Sequence, residues 1–260
     1  DRIEDVHLLV LHALYDKEQR VEPEIGRFHA EAQAALNAKY GLDKPLFEQY
    51  TTYLTDAIQG NFGPSIKQRG RMVTDIIIDG MKTSAKIGII ALVLATMFGI
   101  VFGAIAALRR NTIFDRIIMV MTTAFVSMPS FIMGSLLLIL FCTTLGWLPA
   151  NGAAKGGLIL PVVTLALYPM SYITRLTRSS MLDVLGQDYI RTAKAKGVSE
   201  RNVIIHHALK NSLIPVITYA GPQIAYIITG SMVIETIFTV GGLGSKFVSA
   251  INTRDYTLIM

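Results

Sequence analysis

The hydrophobic pattern along the chain is dominated by four long stretches that contain no charged residue. They cover residues 87–108, 117–154, 156–174 and 211–234, and they are 22, 38, 19 and 24 residues long. A helix needs roughly 20 predominantly apolar residues to cross the hydrocarbon core of a bilayer. Each stretch is therefore predicted to span a membrane, and the fold class is predicted to be an all-α polytopic membrane protein.

The composition excludes several other classes of protein. Of the 260 residues, 52% are hydrophobic and only 17% are charged, whereas an average soluble domain carries about 25% charged residues. A disordered chain and an ordinary soluble enzyme are therefore poor interpretations. A secreted disulfide scaffold is also excluded, because the single cysteine, Cys142, cannot form an internal disulfide.

The distribution of charge predicts the orientation in the membrane. Residues 1–86 contain 11 Lys and Arg against 13 Asp and Glu, while residues 87–260 contain 13 against 6. Most cations of the second part lie in two connections between predicted spans. They are Arg109, Arg110 and Arg116 in one connection, and Arg175, Arg178, Arg191, Lys194, Lys196, Arg201 and Lys210 in the other. By the positive-inside rule both connections face the cytoplasm, which makes residues 1–80 an extracytoplasmic soluble segment and 81–260 the transmembrane domain.

The excess of basic residues does not indicate nucleic acid as a partner. Membrane orientation already accounts for the cations, and they lack the interleaved aromatic residues of a surface on which bases stack. Within the soluble segment, one helix is predicted over 22–40, because Pro23 suits a first turn and Gly41 supplies a stop.

Small residues recur at intervals of four along the first predicted span. Small residues at this spacing allow another helix backbone to approach closely within a membrane. The first span is therefore predicted to be interior and packed against a neighbouring helix. The residues are Ala91, Ala95, Gly99, Gly103 and Ala107.

Prolines lie inside the second and fourth predicted spans. Pro129 is in the middle of the second, and the fourth contains Pro215, Gly221, Pro222 and Gly230. Proline removes a backbone hydrogen bond and bends a helix. Such bends favour a moving pathway over a static anchor, although they are also frequent in membrane proteins generally.

The connection at 183–212 predicts two short amphipathic helices joined by a glycine. Asp183 and Asp188 lie near the start of a helical pattern, Lys194 and Lys196 lie in its last turn, and Gly197 follows. Acids early and bases late complement the helix dipole, and glycine adopts a left-handed cap without strain. A second helix follows, with Ser199 as its expected cap. Such a pair either docks into the groove of a partner or lies on the membrane surface without one.

This connection resembles the cytoplasmic coupling loop of ABC-transporter permease subunits of the oligopeptide, dipeptide and nickel group. The resemblance lies in the run from Gln187 to Gly197, Gln-Asp-Tyr-Ile-Arg-Thr-Ala-Lys-Ala-Lys-Gly, with Asn-Ser-Leu-Ile-Pro at 211–215. Further matches are Gly-Leu-Asp-Lys-Pro-Leu at 41–46, Leu-Gly-Trp-Leu-Pro at 145–149, Glu-Thr-Ile-Phe at 235–238 and Gly-Leu-Gly at 242–244. Arg191 stands where the broader importer family has glutamate, so an acidic contact is not expected at that position.

The resemblance implies a permease-like helical bundle of an ABC type I importer, with six helices. The family's first helix is expected before Asp1 and its last from about 257–260. The implied partners are a homologous second permease, two cytoplasmic ATP-binding subunits, an extracytoplasmic substrate-binding protein and membrane lipid. The implied location is a bacterial or archaeal cell membrane. The chain has no phosphate-binding motif of the form G-x-x-x-x-G-K-[ST], so no cofactor is expected on it, and ATP and magnesium are assigned to the partners.

Two groups of candidate site residues follow. The coupling contact with an ATPase subunit is assigned to Ala193, Ala195, Lys196, Gly197, Val198 and Ser199. A translocation path is assigned to Tyr168, Tyr172, Tyr219, Gln223, Tyr226 and Glu235. The aromatic residues could equally pack between helices, and Glu235 could lie at the membrane interface. No catalytic or metal-binding residue is predicted.

The expected function is therefore a non-enzymatic permease subunit of an ATP-driven importer of oligopeptides or dipeptides. Nickel or another small solute remains an alternative cargo. A secondary transporter driven by an ion gradient is the alternative mechanism, since bent helices and an intramembrane acid would also suit it. An intramembrane enzyme is disfavoured, because His206 and His207 are adjacent and point apart on a helix.

Overall fold

The computed structural model describes Ala34, Asn37 and residues 43–260, which fall into two compact units, 1–62 and 63–260. Of the helix predicted over 22–40, only Ala34 and Asn37 are described, and both are helical; the rest lies outside the described residues. The described part of the first unit contains helix α1, Leu46–Ile58, which begins after Pro45. Proline suits this position because it has no backbone N–H to leave unpaired.

Helix α2, Val73–Leu108, is 36 residues long and packs through the predicted stripe of small residues. Ala91 and Ala95 are fully buried, and a Cβ built on Gly99 would lie 2.8 Å from Ile173 in helix α5, Ile159–Leu185. The expectation that this stripe packs against a neighbouring helix is confirmed. Helix α2 also continues through position 80, so the sequence-based domain boundary falls inside a helix, whereas the compact units divide at 62/63.

The second apolar stretch folds as two helices with a sharp break between them. Helix α3, Ile113–Ser127, and helix α4, Ser130–Leu138, meet at an angle of 105°, and a π-helical turn, Ile139–Thr144, continues α4. Met128 is extended, with φ −85° and ψ 128°, and Pro129 follows it. A proline ring disfavours helical geometry at the preceding residue, so the chain turns here instead of kinking gently.

Helix α5 is longer than the apolar stretch that predicted it. It runs to Leu185 and therefore includes Arg175, Arg178 and Asp183, which the sequence analysis assigned to the following connection. Arg178 is tolerated inside the helix because it pairs with Asp115 at the start of α3. Asp183 ends this helix rather than starting the next one.

The fourth apolar stretch is interrupted near its end. Helix α6, Asp188–Ala195, and a short helical segment precede helix α9, Ile214–Ile228. That segment consists of α7, Glu200–Asn202, a π-helical part, Val203–Leu209, and α8, Lys210–Ser212. After Gly230 the chain continues as α10, Met232–Ile237, α11, Leu243–Thr253, and α12, Tyr256–Ile259.

The helix found in the fourth predicted span is shorter than its uncharged stretch. Among the described residues α2 and α5 are long and apolar enough to cross a membrane, and α3 with α4 makes a third if the bent pair counts as one span. Helix α9 has 15 residues, which at 1.5 Å per residue gives about 22 Å, less than the roughly 30 Å of a hydrocarbon core. Gly230 ends it because its φ of +86° cannot continue a helix.

A polar cluster joins the start of the second unit to its end. Asp255 is 1% exposed and accepts hydrogen bonds from the hydroxyl of Ser65, the N–H of Ile66 at 3.1 Å and the hydroxyl of Thr257 at 3.0 Å. The Thr257 hydroxyl is also 3.1 Å from the carbonyl of Pro64. This cluster fixes the loop before α2 against the connection between α11 and α12.

Candidate functional site

Helix α6 is attached to the ends of α2 and α5 by a small apolar core. Ile190 and Ala193 are 1% and 8% exposed, respectively, and lie three residues apart, so they share one face of α6. They pack with the following buried residues: Ala107 of α2, Met181 of α5, and Val203 and Ala208 of the π-helical part. The remaining face of α6 is left outside this core.

Gly197 ends α6 in the geometry that the sequence predicted. Its φ is +77°, the N–H of Gly197 donates to the carbonyl of Lys194 at 3.0 Å, and the N–H of Val198 donates to the carbonyl of Ala193 at 3.2 Å. These two bonds form a Schellman motif. A Cβ at Gly197 would meet nothing within 4 Å, so glycine is required here by the backbone conformation and not by a lack of space.

Ser199 takes the position before α7 but does not cap it through its side chain. The expectation of a serine cap is therefore wrong, although the second helix does begin where it was predicted. Helix α8 is held to α6 by another contact, in which the side-chain amide of Asn211 donates to the hydroxyl of Tyr189 at 2.9 Å. Sequence reasoning did not identify this bond, because nothing local pairs residues 22 positions apart.

The predicted coupling residues form a surface around the end of α6. Ala195, Lys196, Gly197 and Ser199 are exposed and Val198 is partly buried, whereas Ala193 faces the core. Charged side chains surround them: Asp188, Arg191, Lys194, Glu200 and Arg201 are also exposed. We call residues 188–201 the coupling surface. It is an exposed helix end that carries four basic side chains, Arg191, Lys194, Lys196 and Arg201, and two acidic ones, Asp188 and Glu200.

The predicted path residues lie mainly on α5 and α9. The rings of Tyr172 and Tyr219 stack across the two helices with centroids 4.4 Å apart. Tyr168 and Tyr226 are 48% and 75% exposed, and Gln223 is partly buried. The Tyr219 hydroxyl is buried and has no hydrogen-bond partner in the structure. The structure thus brings Tyr172 and Tyr219 together on a half-exposed face.

Glu235 is placed differently from the tyrosines. It lies in α10, beyond the break at Gly230, and is fully buried. Its carboxylate accepts a hydrogen bond from the Ser84 hydroxyl at 2.7 Å and another from the N–H of Ser245 at 3.0 Å. With both oxygens engaged, Glu235 is not open to a passing solute in this structure, and it does not snorkel to an interface.

An ion pair that the sequence analysis missed joins α3 to α5. The guanidinium of Arg178 donates to both carboxylate oxygens of Asp115, at 2.6 and 2.8 Å, and the N–H of Asn111 donates to the same carboxylate at 2.9 Å. Asp115 is 4% exposed. In the sequence, Asp115 stands out as the single acidic residue among the cations at 109–116. Its partner Arg178 could not be identified, because it lies 63 residues away.

The described residues contain no group of three or more His, Cys, Asp or Glu side chains that could hold a metal ion. His206 and His207 lie in the π-helical part, and the carbonyl of His207 accepts a hydrogen bond from Asn211 at 3.1 Å.

Curated relatives match most of the chain. The chain is 43% identical over 233 residues to the oligopeptide transport system permease protein OppB of Haemophilus influenzae, a match that covers 88% of this chain and 76% of the relative. It is 48% identical over 229 residues to the dipeptide transport system permease protein DppB of Bacillus subtilis, with 88% and 74% covered. The OppB protein of Escherichia coli is 44% identical over 233 residues, with 88% and 76% covered.

A solved structure shares the fold. It is described as the crystal structure of an amino acid ABC transporter with histidines, and the similarity has a TM-score of 0.54 at 13% identity, covering 72% of this chain and 83% of that one. The expected fold, a type I importer permease, is confirmed by this likeness. Residues 99–260 match the family described as "Binding-protein-dependent transport system inner membrane component". Together with the curated relatives, this match shows that the chain is a membrane permease of that family.

Proposed function

We propose that this chain is a permease subunit of an importer that carries oligopeptides or dipeptides across a cell membrane. Three relatives at 43% to 48% identity are peptide permeases by name. The observation that carries the mechanical part is the coupling surface, because α6 is exposed on one face and fixed on the other to α2 and α5. The coupling surface therefore lies directly beside the ends of the long helices.

The proposed partners follow from this arrangement. Two ATP-binding subunits bind ATP and magnesium, and one of them contacts the coupling surface through Ala195, Lys196, Gly197, Val198 and Ser199. Ala193 contributes from beneath by seating α6 on the core. A homologous second permease and an extracytoplasmic substrate-binding protein complete the importer. Energy from the partner can shift the permease only if its contacts with α6 differ between the two states.

The orientation is proposed from the same charges that the sequence analysis used. The connections that hold Arg109 to Arg116 and residues 188–201 face the cytoplasm, and residues 1–80 face outward, with the chain spanning the membrane several times. Exposed apolar side chains on α2, such as Val93 and Met97, then face lipid or the second permease.

The translocation path is proposed along the face shared by α5 and α9. Tyr168, Tyr172, Tyr219, Gln223 and Tyr226 present aromatic surface together with polar tips. Such a lining suits a peptide backbone, because it combines apolar contact with hydrogen bonding. Glu235 is buried in a separate cluster with Ser84 and Ser245 and is not part of this lining.

The coupling proposal is tested by placing valine at Gly197 in the full importer. Left-handed backbone costs an ordinary residue about 1–2 kcal/mol and costs a β-branched residue more, so Gly197→Val distorts the end of α6 while the helices of the membrane domain are untouched. We expect the complex to assemble and hydrolyse ATP while uptake of a labelled peptide into proteoliposomes is lost. Gly197→Asn, which tolerates the left-handed conformation, is expected to keep most of the uptake.

Two controls sharpen this experiment. Gly186 has a right-handed φ of −80° and room for a Cβ, with its nearest neighbour at 3.5 Å, so Gly186→Ala is expected to transport like the wild type. Uptake by Gly197→Val at the wild-type rate would refute the coupling role. Uptake driven by an ion gradient, without ATP-binding subunits, would instead support the secondary-transporter alternative.

A further inference from the structure

Glu235 lies at the centre of a buried polar cluster that joins three helices. Ser84 belongs to α2, Glu235 to α10 and Ser245 to the first turn of α11. The Ser84 hydroxyl donates to one Glu235 oxygen at 2.7 Å and accepts a hydrogen bond from the N–H of Leu243 at 2.8 Å. The other Glu235 oxygen accepts from the N–H of Ser245 at 3.0 Å. We call this group the Glu235 cluster.

The side chains of Ser84 and Glu235, which belong to other helices, cap the start of α11. Helix α11 begins after Gly242, which has no side chain that could cap its first N–H groups. Those groups need acceptors, because the first four N–H groups of a helix have no partner within it. Ser84 accepts from the N–H of Leu243, and Glu235 accepts from the N–H of Ser245, so residues from two other helices satisfy two N–H groups in the first turn of α11.

The electrostatics of the cluster also depend on α11. No lysine, arginine or histidine forms a salt bridge with Glu235 among the described residues. A buried carboxylate without a cation is costly unless other groups stabilise it. The positive end of the α11 dipole and its N–H donors supply that stabilisation. Glu235 and the start of α11 therefore hold each other in place.

The glycines around the cluster show how closely it is packed. A Cβ at Gly242 would lie 2.5 Å from the Glu235 carboxylate, and a Cβ at Gly230 would lie 2.5 Å from one of its oxygens. A Cβ at Gly80 would lie 2.9 Å from the Cα of Leu243. Helices α2, α10 and α11 therefore meet nearly backbone to backbone around Glu235 and form one block.

Helix α9 enters this block through a break. It directly follows residues 188–213, which we call the coupling segment, and it ends at Ile228. Gly230, with its φ of +86°, separates it from α10. One end of α9 is therefore attached to the part that a motor subunit would move, and the other end meets the block that the Glu235 cluster holds together.

We propose that Glu235 is a positioning residue for transport, which caps α11 together with Ser84 and so holds α2, α10 and α11 as a fixed block against which α9 moves at residues 229–231. Glu235 touches no cargo in this scheme. It acts by keeping one side of the break still, so that displacement of the coupling segment becomes rotation of α9 and its tyrosines. This inference rests on the proposed function of the chain as a permease subunit that ATP-binding partners drive.

The first test compares uptake kinetics in the full importer. Glu235→Gln keeps the side-chain volume, but its amide cannot reproduce two charge-assisted acceptors, and Ser84→Ala removes the shared hydroxyl. We expect each variant to assemble and to lower the maximal uptake rate at least about tenfold, because a charge-assisted hydrogen bond is lost, while the KM for peptide is unchanged. The double variant is expected to be no worse than Glu235→Gln, because both residues belong to one cluster.

A matched control is available one residue away. Thr236 is exposed on the same helix, and its hydroxyl bonds only within its own turn, to the carbonyl of Met232 at 2.6 Å. Thr236→Val is expected to transport like the wild type. Wild-type uptake by Glu235→Gln, or a raised KM with an unchanged maximal rate, would overturn the proposal, since the second result would mean that Glu235 meets the cargo.

A second measurement follows the movement itself and does not depend on transport. Spin labels at Met81 and Ser249, both exposed, report on the block, and labels at Met81 and Ile217 report on α9. Cys142 is free and is replaced by serine first. Between nucleotide-free importer and importer with a non-hydrolysable ATP analogue, we expect the first distance to stay constant and the second to shift. In Glu235→Gln the first distance distribution is expected to broaden.

A first distance that shifts with nucleotide in the wild type, or a second that does not, would overturn the inference. The outcome for the coupling surface is separate. If Gly197→Val transports normally while both distance results are as expected, the assigned coupling contact is wrong and the role of Glu235 stands.

Discussion

The ion pair between Asp115 and Arg178 provides a direct test of what holds α3 to α5. We consider the substitution Asp115→Asn, which keeps the shape of the side chain but removes its charge. The Asp115 side chain is 5% exposed and that of Arg178 is 22% exposed, and the two bonds are 2.6 and 2.8 Å long. The substitution leaves the guanidinium partly buried without a counter-charge.

The expected loss of stability lies between the values for a fully buried ion pair and an exposed one. Removing one member of a fully buried ion pair costs about 3–5 kcal/mol, whereas exposed pairs contribute roughly 0–1 kcal/mol. Because Asp115 is nearly buried and Arg178 retains some contact with solvent, we expect Asp115→Asn to lower the free energy of unfolding by about 2–4 kcal/mol. The N–H of Asn111 keeps an acceptor in this variant, so the loss reports mainly on the pair.

The assay is reversible unfolding of the permease in detergent micelles, followed through helix content as a denaturing detergent is added. Asp188→Asn is the matched control, because Asp188 also faces an arginine, Arg191, but at 3.5 Å with side chains 95% and 77% exposed. That variant is expected to unfold like the wild type. Replacing both Asp115 and Arg178 by leucine should recover part of the loss, since no buried charge is then left without a partner.

A result in which Asp115→Asn and Asp188→Asn unfold at the same denaturant concentration would refute this reasoning. It would mean that the bidentate pair contributes no more than an exposed one, and that α3 is held to α5 by apolar packing alone. A double leucine variant less stable than either single variant would also contradict it.

Two further predictions follow. Gly103→Leu should lower the free energy of unfolding by at least about 3 kcal/mol, because a Cβ there would lie 2.6 Å from the carbonyl oxygen of Thr174. Val101→Leu, on the exposed face of α2, should leave the free energy of unfolding unchanged in the same assay. Burial raises the pKa of the Asp255 carboxyl, but hydrogen bonds, first that from Ser65, outweigh burial and hold the pKa below its usual value of 3.8. The stabilisation from Asp255 is therefore complete above pH 3.8 and is lost as the pH falls through the lower folded-state pKa. Asp255→Asn should remove this part of the acid dependence of the free energy of unfolding. If that acid dependence is unchanged in the variant, the role given to Asp255 is contradicted.

Local chemistry explains which parts of the fold were predictable. The small-residue stripe on α2 and the left-handed Gly197 were identified from the sequence, because each depends on the residue type at its own position. Met128–Pro129 was recognised as a bend, but its size was not, since a proline shows where a helix is interrupted and not at what angle the chain continues.

Longer-range contacts explain what the sequence could not show. Helix α5 was predicted too short because Arg175 ended the uncharged stretch. The next charge, Arg178, is acceptable within the helix because it pairs with Asp115, which the sequence did not show. Glu235 was noticed as an acid near an apolar run, yet its role depends on Ser84, 151 residues away. The exposed end of α6 was predicted from the sequence, because amphipathic spacing and capping signals are local. The hydrogen bond from Asn211 to Tyr189, which attaches α6 to α8, was not predicted.

The close approach of α2 and α5 constrains how such a protein can change shape. At Gly99 and Gly103 the two backbones leave no room even for a methyl group, and any sliding of one helix along the other would drive side chains into the opposite main chain. These two helices must therefore move as one rigid unit. A change between inward-facing and outward-facing states has to occur at the breaks between helices, beside Pro129 and beside Gly230.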